Sequence, residues 1–275
     1  MTLAVGHLPG LKPSAISGLV RLRARLREDA TLSVDKACKL LAATYDGAGL
    51  DLEGAVQLHE LVEPNIIDRQ VLYRQVIRLT ARTGSPTWLS LLCSGREAVR
   101  ALDSDVATCF ERAGAFDPIP DPCVIDWWDE LASLGYADDD LAKMSSGREA
   151  ERLSLRHEKA LLADAPGAPE VIWKSLDSNS AGYDIQSWQL LEGKWLPKYI
   201  EVKGSKRSPP SLFLTRNEWN TAVRHGQAFA FHVWDTLLLR LTEVSVEQMA
   251  VHVPTDSGNG KWEQVRIQLN EAAST

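Results

Sequence analysis

Asp184, Glu201 and Lys203 are the residues of this chain whose types and spacing could do chemistry. They fall in GYDIQSWQLLEGKWLPKYIEVKG, residues 182–204, which reads as two strands joined by a tight turn. Residues 183–190 and 198–203 carry the β-branched and aromatic side chains of strands, and Glu192-Gly193 suits a two-residue type I′ turn. That turn pairs Leu191 with Lys194 and, counting back, sets Asp184 opposite Glu201, with β-carbons roughly 4.5–5.5 Å apart on one face. Lys203, two residues beyond Glu201, projects from the same face. Opposed carboxylates repel, and a divalent cation between them turns that cost into a binding site. The predicted chemistry is hydrolysis with Mg²⁺ or Mn²⁺ held by Asp184, Glu201 and the backbone carbonyl of Val202. The ammonium of Lys203 would orient the attacking water or offset charge on a phosphate.

The motif is short, and Glu192-Gly193-Lys194 repeats its second half inside the turn, where it cannot aim at a rigid site. Its neighbours add specificity. GREAERLSLRHEKALL, GYDI, YIEVKG and FLTRNEW follow one another in that order. Together these blocks resemble the endonuclease-like domain named after the plant protein NO VEIN, which is similar to the PD-(D/E)xK nuclease superfamily. The resemblance covers residues 147–275, with Glu151 and Glu158 at the two acidic positions of the opening helix and Ala150 where the family often has Gly. It implies a restriction-endonuclease-like fold and a DNA endonuclease in bacterial defence against phage or foreign DNA. It also implies Glu151 as a ligand or supporting carboxylate beside Asp184, Glu201 and Lys203. Two other readings are a catalytically silent nuclease fold used for binding, and an adaptor for a partner ATPase or methyltransferase.

The elements that must position these residues occupy only half of the chain. Its 275 residues are 44% hydrophobic and 24% charged, enough for two domains with separate cores. No apolar run reaches the length of a membrane span, and the N-terminus shows no secretory pattern, so a cytoplasmic protein is expected. Cys38, Cys93, Cys109 and Cys123 have no Cys-x-x-Cys spacing and read as buried free thiols. The net charge of −7 is uneven: residues 1–144 carry −6, and residues 145–275 carry −1. Around the hairpin Lys194, Lys198, Lys206, Arg207 and Arg216 form a basic lip, suited to salt-sensitive DNA contact.

Residues 1–134 read as an all-helical domain, because no strand alternation occurs in them. Leu19, Leu22 and Leu26 form a helical stripe, with Arg21, Arg23, Arg25 and Arg27 expected off it on a solvated or partner-binding face. Pro64 is expected to open a helix with Ile67 on its apolar stripe. Trp127-Trp128 is expected to anchor a core rather than stack on bases, and His59 to be structural rather than a metal ligand. Residues 135–146 read as a polar linker and residues 147–275 as a mixed-sheet α/β domain of about five or six strands. Its flanking helices are the one bearing Glu151 and one capped by Thr215 in a capping box with Glu218. The fold expectation is thus helical plus α/β. DNA is the expected partner, the helical half is left for a protein partner, and a homodimer stays open.

Overall fold

Helical stripes and strand alternation require different packing partners, and the chain segregates them into two units, Met1–Tyr136 and Ala137–Thr275. The computed structural model describes residues 10–84, 86–102, 104–134, 138–178, 180–207 and 209–269, without the side chains of Asp46, Ser104 and residues 138–146.

The described part of the first unit contains helices α1 (Pro13–Glu28), α2 (Val34–Ala42), α3 (Leu52–Leu61), α4 (Arg69–Gly84), α5 (Arg96–Arg100), α6 (Ser104–Arg112) and α7 (Pro122–Ser133), with 3-10 turns at Tyr45–Gly47 and Thr87–Ser94. Leu19 and Leu22 are buried as their spacing predicts, and Leu22 packs with Ala37 and Leu41 of α2. Arg23 departs from expectation: it is buried, and its Nη2 donates to the Val62 carbonyl at 2.5 Å. The reason is spacing, since position 23 lies four residues after Leu19 and therefore on the same side of the helix. Pro64 does not start a helix; α4 begins at Arg69, where Asp68 accepts from the Val71 N–H at 2.8 Å, and Ile67 is exposed. Trp127 and Trp128 are core residues, each with its ring centroid 5.8 Å from that of Phe110. Of the four free cysteines only Cys109 is buried, and Cys123 is exposed.

The second unit begins with α8 (Asp138–Leu162), so residues 138–146, expected as linker, are helical. The 25 residues of α8 contain no proline and a single glycine, so nothing in their backbone breaks the helix, which a reading in terms of polarity overlooks. Then come β1 (Ile172–Trp173), α9 (Lys174–Asp177), β2 (Ile185–Leu191), β3 (Lys194–Ser205), β4 (Ser211–Thr215), α10 (Arg216–His225), β5 (Phe229–Asp235), β6 (Arg240–Ser245), α11 (Val246–Ala250) and β7 (Gln264–Gln268). The main sheet has five strands in the order β1-β2-β3-β5-β6, antiparallel except for the parallel β3–β5 pair. β4 and β7 stay out of it and form a two-stranded sheet of their own.

The β2–β3 register is the one the turn predicts, with Leu191 paired to Lys194 and Ile185 to Ile200. Glu192 and Gly193 both take positive φ, 48° and 76°, as a type I′ turn requires. A strand's side chains alternate between faces, so β3 contributes to two layers. On one face Phe229, Phe231 and Val233 pack with Leu212, Leu214, Ala222 and Ile267 in a core that includes α10. The other face lies toward α8. Gly182, at φ 76°, precedes β2 where a Cβ would come within 2.3 Å of Thr221 Oγ1 on α10. Only glycine lets the start of β2 approach α10 this closely.

Candidate active site

The register puts Asp184, immediately before β2, beside Glu201 in the middle of β3. The Asp184 N–H donates to the Ile200 carbonyl at 2.9 Å, and the Val202 N–H donates to Asp184 Oδ2 at 2.7 Å. That second bond fixes the carboxylate of Asp184 toward β3. Val202 thus reaches Asp184 through its N–H group. Glu201 is 4% exposed and Asp184 is partly buried.

Lys203 does not project freely toward solvent. Its Nζ lies 2.7 Å from Glu201 Oε1 and 2.9 Å from Glu218 Oε2. Glu218 is the site residue that the sequence pattern did not single out. It sits at the third position of α10, where its carboxylate accepts the Thr215 N–H at 2.8 Å while Thr215 Oγ1 accepts the Glu218 N–H at 3.3 Å. The signal was present as a capping box. A capping glutamate folds back over the strand that enters its helix, and here that brings it to the catalytic candidates.

Glu151 comes from α8. It accepts the Trp173 Nε1–H at 2.6 Å and the Arg148 guanidinium at 2.8 Å, and it also bonds to the Ser175 hydroxyl. Its charge is felt at Asp184, but its own hydrogen bonds tie it to the β1–α9 corner. Nothing in the sequence marked Trp173 or Ser175 as its partners.

Burial, followed by the charge of Glu151, pushes the Asp184 carboxyl up to about 8. Burial and then Asp184 push Glu201 well above the usual carboxylate range. Burial alone would pull the Lys203 ammonium down, but Glu201, Glu218 and Asp184 together hold it above its ordinary range. Burial also pushes Glu218 up, yet Lys203 and the Thr215 N–H outweigh it and keep that carboxyl low. Asp184, Glu201 and Glu218 line a cavity of about 330 Å³, with Tyr183, Asn217 and Ser178 also on its walls. The arrangement is an acidic, oxygen-rich pocket, two of whose carboxylates, Glu201 and Glu218, are held by the Lys203 ammonium.

The basic lip is dispersed. Lys198 turns to the α8 face, where its Nζ lies 3.2 Å from Glu158 Oε1 and 3.1 Å from Glu243 Oε1. Arg216 is taken up by Asp256 through two contacts of 2.7 and 2.5 Å and lies 4.9 Å from the Trp262 ring. Lys194, Lys206 and Arg207 are exposed. Strand parity accounts for Lys198, which lies three residues from Glu201 and so on the opposite face.

Residues 150–237 match the family model described as Protein NO VEIN, C-terminal. The resemblance read from the motif blocks therefore holds over this stretch. Glu151, Asp184, Glu201, Lys203 and Glu218 all lie within the NO VEIN-type domain, whereas Glu243 lies beyond the matched residues. No curated protein and no solved structure matches the chain. No described helix is long and apolar enough to cross a membrane.

Proposed function

We propose that the NO VEIN-type domain hydrolyses phosphodiester bonds in DNA, with Mg²⁺ or Mn²⁺, in defence against foreign DNA. The observation that carries this reading is the pair Asp184 and Glu201, held together in one pocket and both pushed toward protonation. Such a pair is costly unless a cation joins it. The donor set fits Mg²⁺ or Mn²⁺, since it consists of carboxylate oxygens with cavity space for waters. Asp184 and Glu201 would hold the ion, with the Val202 carbonyl as the further ligand expected from the strand. When bound, the ion would supply Lewis-acid polarisation of phosphate and a more acidic water.

The residues of the chain do the rest. The Val202 N–H holds Asp184 in its orientation. Lys203, kept charged by three carboxylates, is a hydrogen-bond donor and counter-charge and does not serve as a base. On substrate binding it would exchange one carboxylate for the water or a phosphate oxygen. Glu218 would secure Lys203 until then, and Glu151 would shape the field at Asp184 from the β1–α9 corner.

A non-catalytic binding role is favoured by one feature, the engagement of Lys203 by both Glu201 and Glu218. The purified chain incubated with plasmid DNA, linear DNA and RNA, each with Mg²⁺, Mn²⁺ or EDTA, separates the two. Cleavage of DNA that EDTA abolishes is the expected result. Retention of DNA in a mobility-shift assay with no cleavage under any metal would establish the binding role instead.

A further inference from the structure

We propose that Glu158, His232 and Glu243 form a second cation site, specific for a zinc-class divalent ion, on the sheet face turned toward α8. The proposal does not rest on the phosphodiesterase reading. Glu158 comes from α8, His232 from β5 and Glu243 from β6, where the last two are directly paired across the strands. They are the one trio of His, Cys, Asp or Glu among the described residues whose ligand atoms all lie within 4.8 Å of one another.

His232 provides the second observation. It is fully buried, and its Nε2 has no hydrogen-bond partner. Its other nitrogen, Nδ1, is 3.2 Å from Ser154 Oγ, which also accepts the Trp234 Nε1–H at 2.7 Å. Ser154 lies one helical turn before Glu158 on α8, so one helix supplies both a ligand and the residue that orients the imidazole. A metal-binding histidine is commonly held in this way through its second nitrogen. The orphaned Nε2 points between two carboxylates, 3.5 Å from Glu158 Oε1 and 3.5 Å from Glu243 Oε2. A tetrahedral ion with bonds of about 2.0–2.2 Å spaces its ligand atoms about 3.3–3.6 Å apart. Both carboxylates already stand at that spacing from His232 Nε2, and all three ligand atoms lie within 4.8 Å of one another.

Lys198 is the counter-ion of this cluster, lying against both carboxylates. An ammonium satisfies the carboxylates but offers nothing to a nitrogen ligand. Imidazole together with carboxylate selects Zn²⁺ over Mg²⁺, which prefers oxygen alone. Glu158 is 2% exposed whereas the Glu243 side chain is 47% exposed, so an ion would enter past Glu243 as Lys198 swings out. Bound there, it would tie α8 to the β5–β6 edge of the sheet.

The test uses the full chain with Asp184→Asn and Glu201→Gln, so that the other carboxylate pair cannot contribute. After chelator treatment it is titrated with Zn²⁺ in a calorimeter, in the presence of excess Mg²⁺. One equivalent is expected to bind despite the Mg²⁺. Ser154→Ala should weaken binding by about 10–100-fold. His232→Gln should abolish it, and Lys198→Met should strengthen it by removing the competing ammonium. Absence of saturable Zn²⁺ binding, or binding unchanged by His232→Gln, would overturn the site. Should His232→Gln fail to fold, Lys198→Met decides: tighter Zn²⁺ binding supports the proposal, and unchanged or weaker binding refutes it.

Discussion

The two faces of the sheet solve the same electrostatic problem with different parts. Each buries a lysine of β3 among carboxylates: Lys203 between Glu201 and Glu218 on the α10 side, and Lys198 between Glu158 and Glu243 on the α8 side. On the α10 side Asp184 is a further carboxylate and no histidine joins the set, so Asp184 and Glu201 are pushed toward protonation. On the α8 side Lys198 lies against both Glu158 and Glu243, and the Glu243 carboxyl is held down to about 2. One face holds carboxyls pushed toward protonation beside a cavity, and the other has its carboxylates satisfied but a nitrogen left orphaned. An excess of carboxylate beside open space is the signature of a site that works by taking up cations. A matched set signals structure, with or without an ion.

Substitutions on the two faces should therefore separate cleavage from stability. The largest effect is expected from Asp184→Asn or Glu201→Gln, either of which should reduce metal-dependent DNA cleavage to background. The metal-free variants should melt no lower than the parent, because like-charge repulsion is removed. Full cleavage by either purified variant would remove the α10 face from the mechanism. Lys203→Met should cost about 100-fold in rate, in the range for removing one preorganised electrostatic contributor, while calorimetry still detects Mn²⁺. Lys203→Arg should restore little, since a planar fork does not replace a compact ammonium. Simultaneous loss of Mn²⁺ binding would mean that Lys203 holds the carboxylates in place and has no part in the chemistry.

A smaller effect is expected from pH on the metal-free chain, and the two faces should respond with opposite signs. Asp184 has a folded value near 8 against 3.8 when unfolded, so its contribution is present in acid and lost as pH rises toward 8. Glu243 has a folded value near 2 against 4.5, so its contribution is present at neutral pH and lost in acid. Melting curves across this range should show the alkaline loss shrink in Asp184→Asn, where burial of Glu201 still contributes, and in the presence of Mg²⁺. An alkaline loss of equal size in Asp184→Asn would assign the trend to other groups. The smallest effect on cleavage is expected from Lys198→Met, which should leave the rate within about twofold. Its cost in stability should be about 2 kcal/mol, less than for a wholly buried pair because Glu243 is half exposed. A large rate loss in that variant would connect the two faces functionally.

Local chemistry determined much of this molecule. Glu192-Gly193 specifies a type I′ turn, and with the turn comes every pairing of β2 with β3, including the placement of Asp184 beside Glu201. Period-2 alternation put Lys203 on the Glu201 face, and the Thr215–Glu218 capping box marked the start of α10. The same alternation already excluded Lys198 from that face, although a simple count of nearby cations placed it in the basic lip. Other features depended on contacts that no spacing encodes. Glu218 reaches Lys203 because α10 packs back over β3, and Gly182 is required only because Thr221 arrives from another element. Arg216 meets Asp256 forty residues away, and Ser154 meets His232 from a different layer. The separation of β4 and β7 into their own sheet belongs with these, since strand alternation reveals a strand without naming its neighbour. Turns, caps and alternation are governed by interactions within a few residues, so a sequence displays them directly. Which carboxylate meets which cation is decided by how helices and sheet pack, and that packing exists only once the chain has folded.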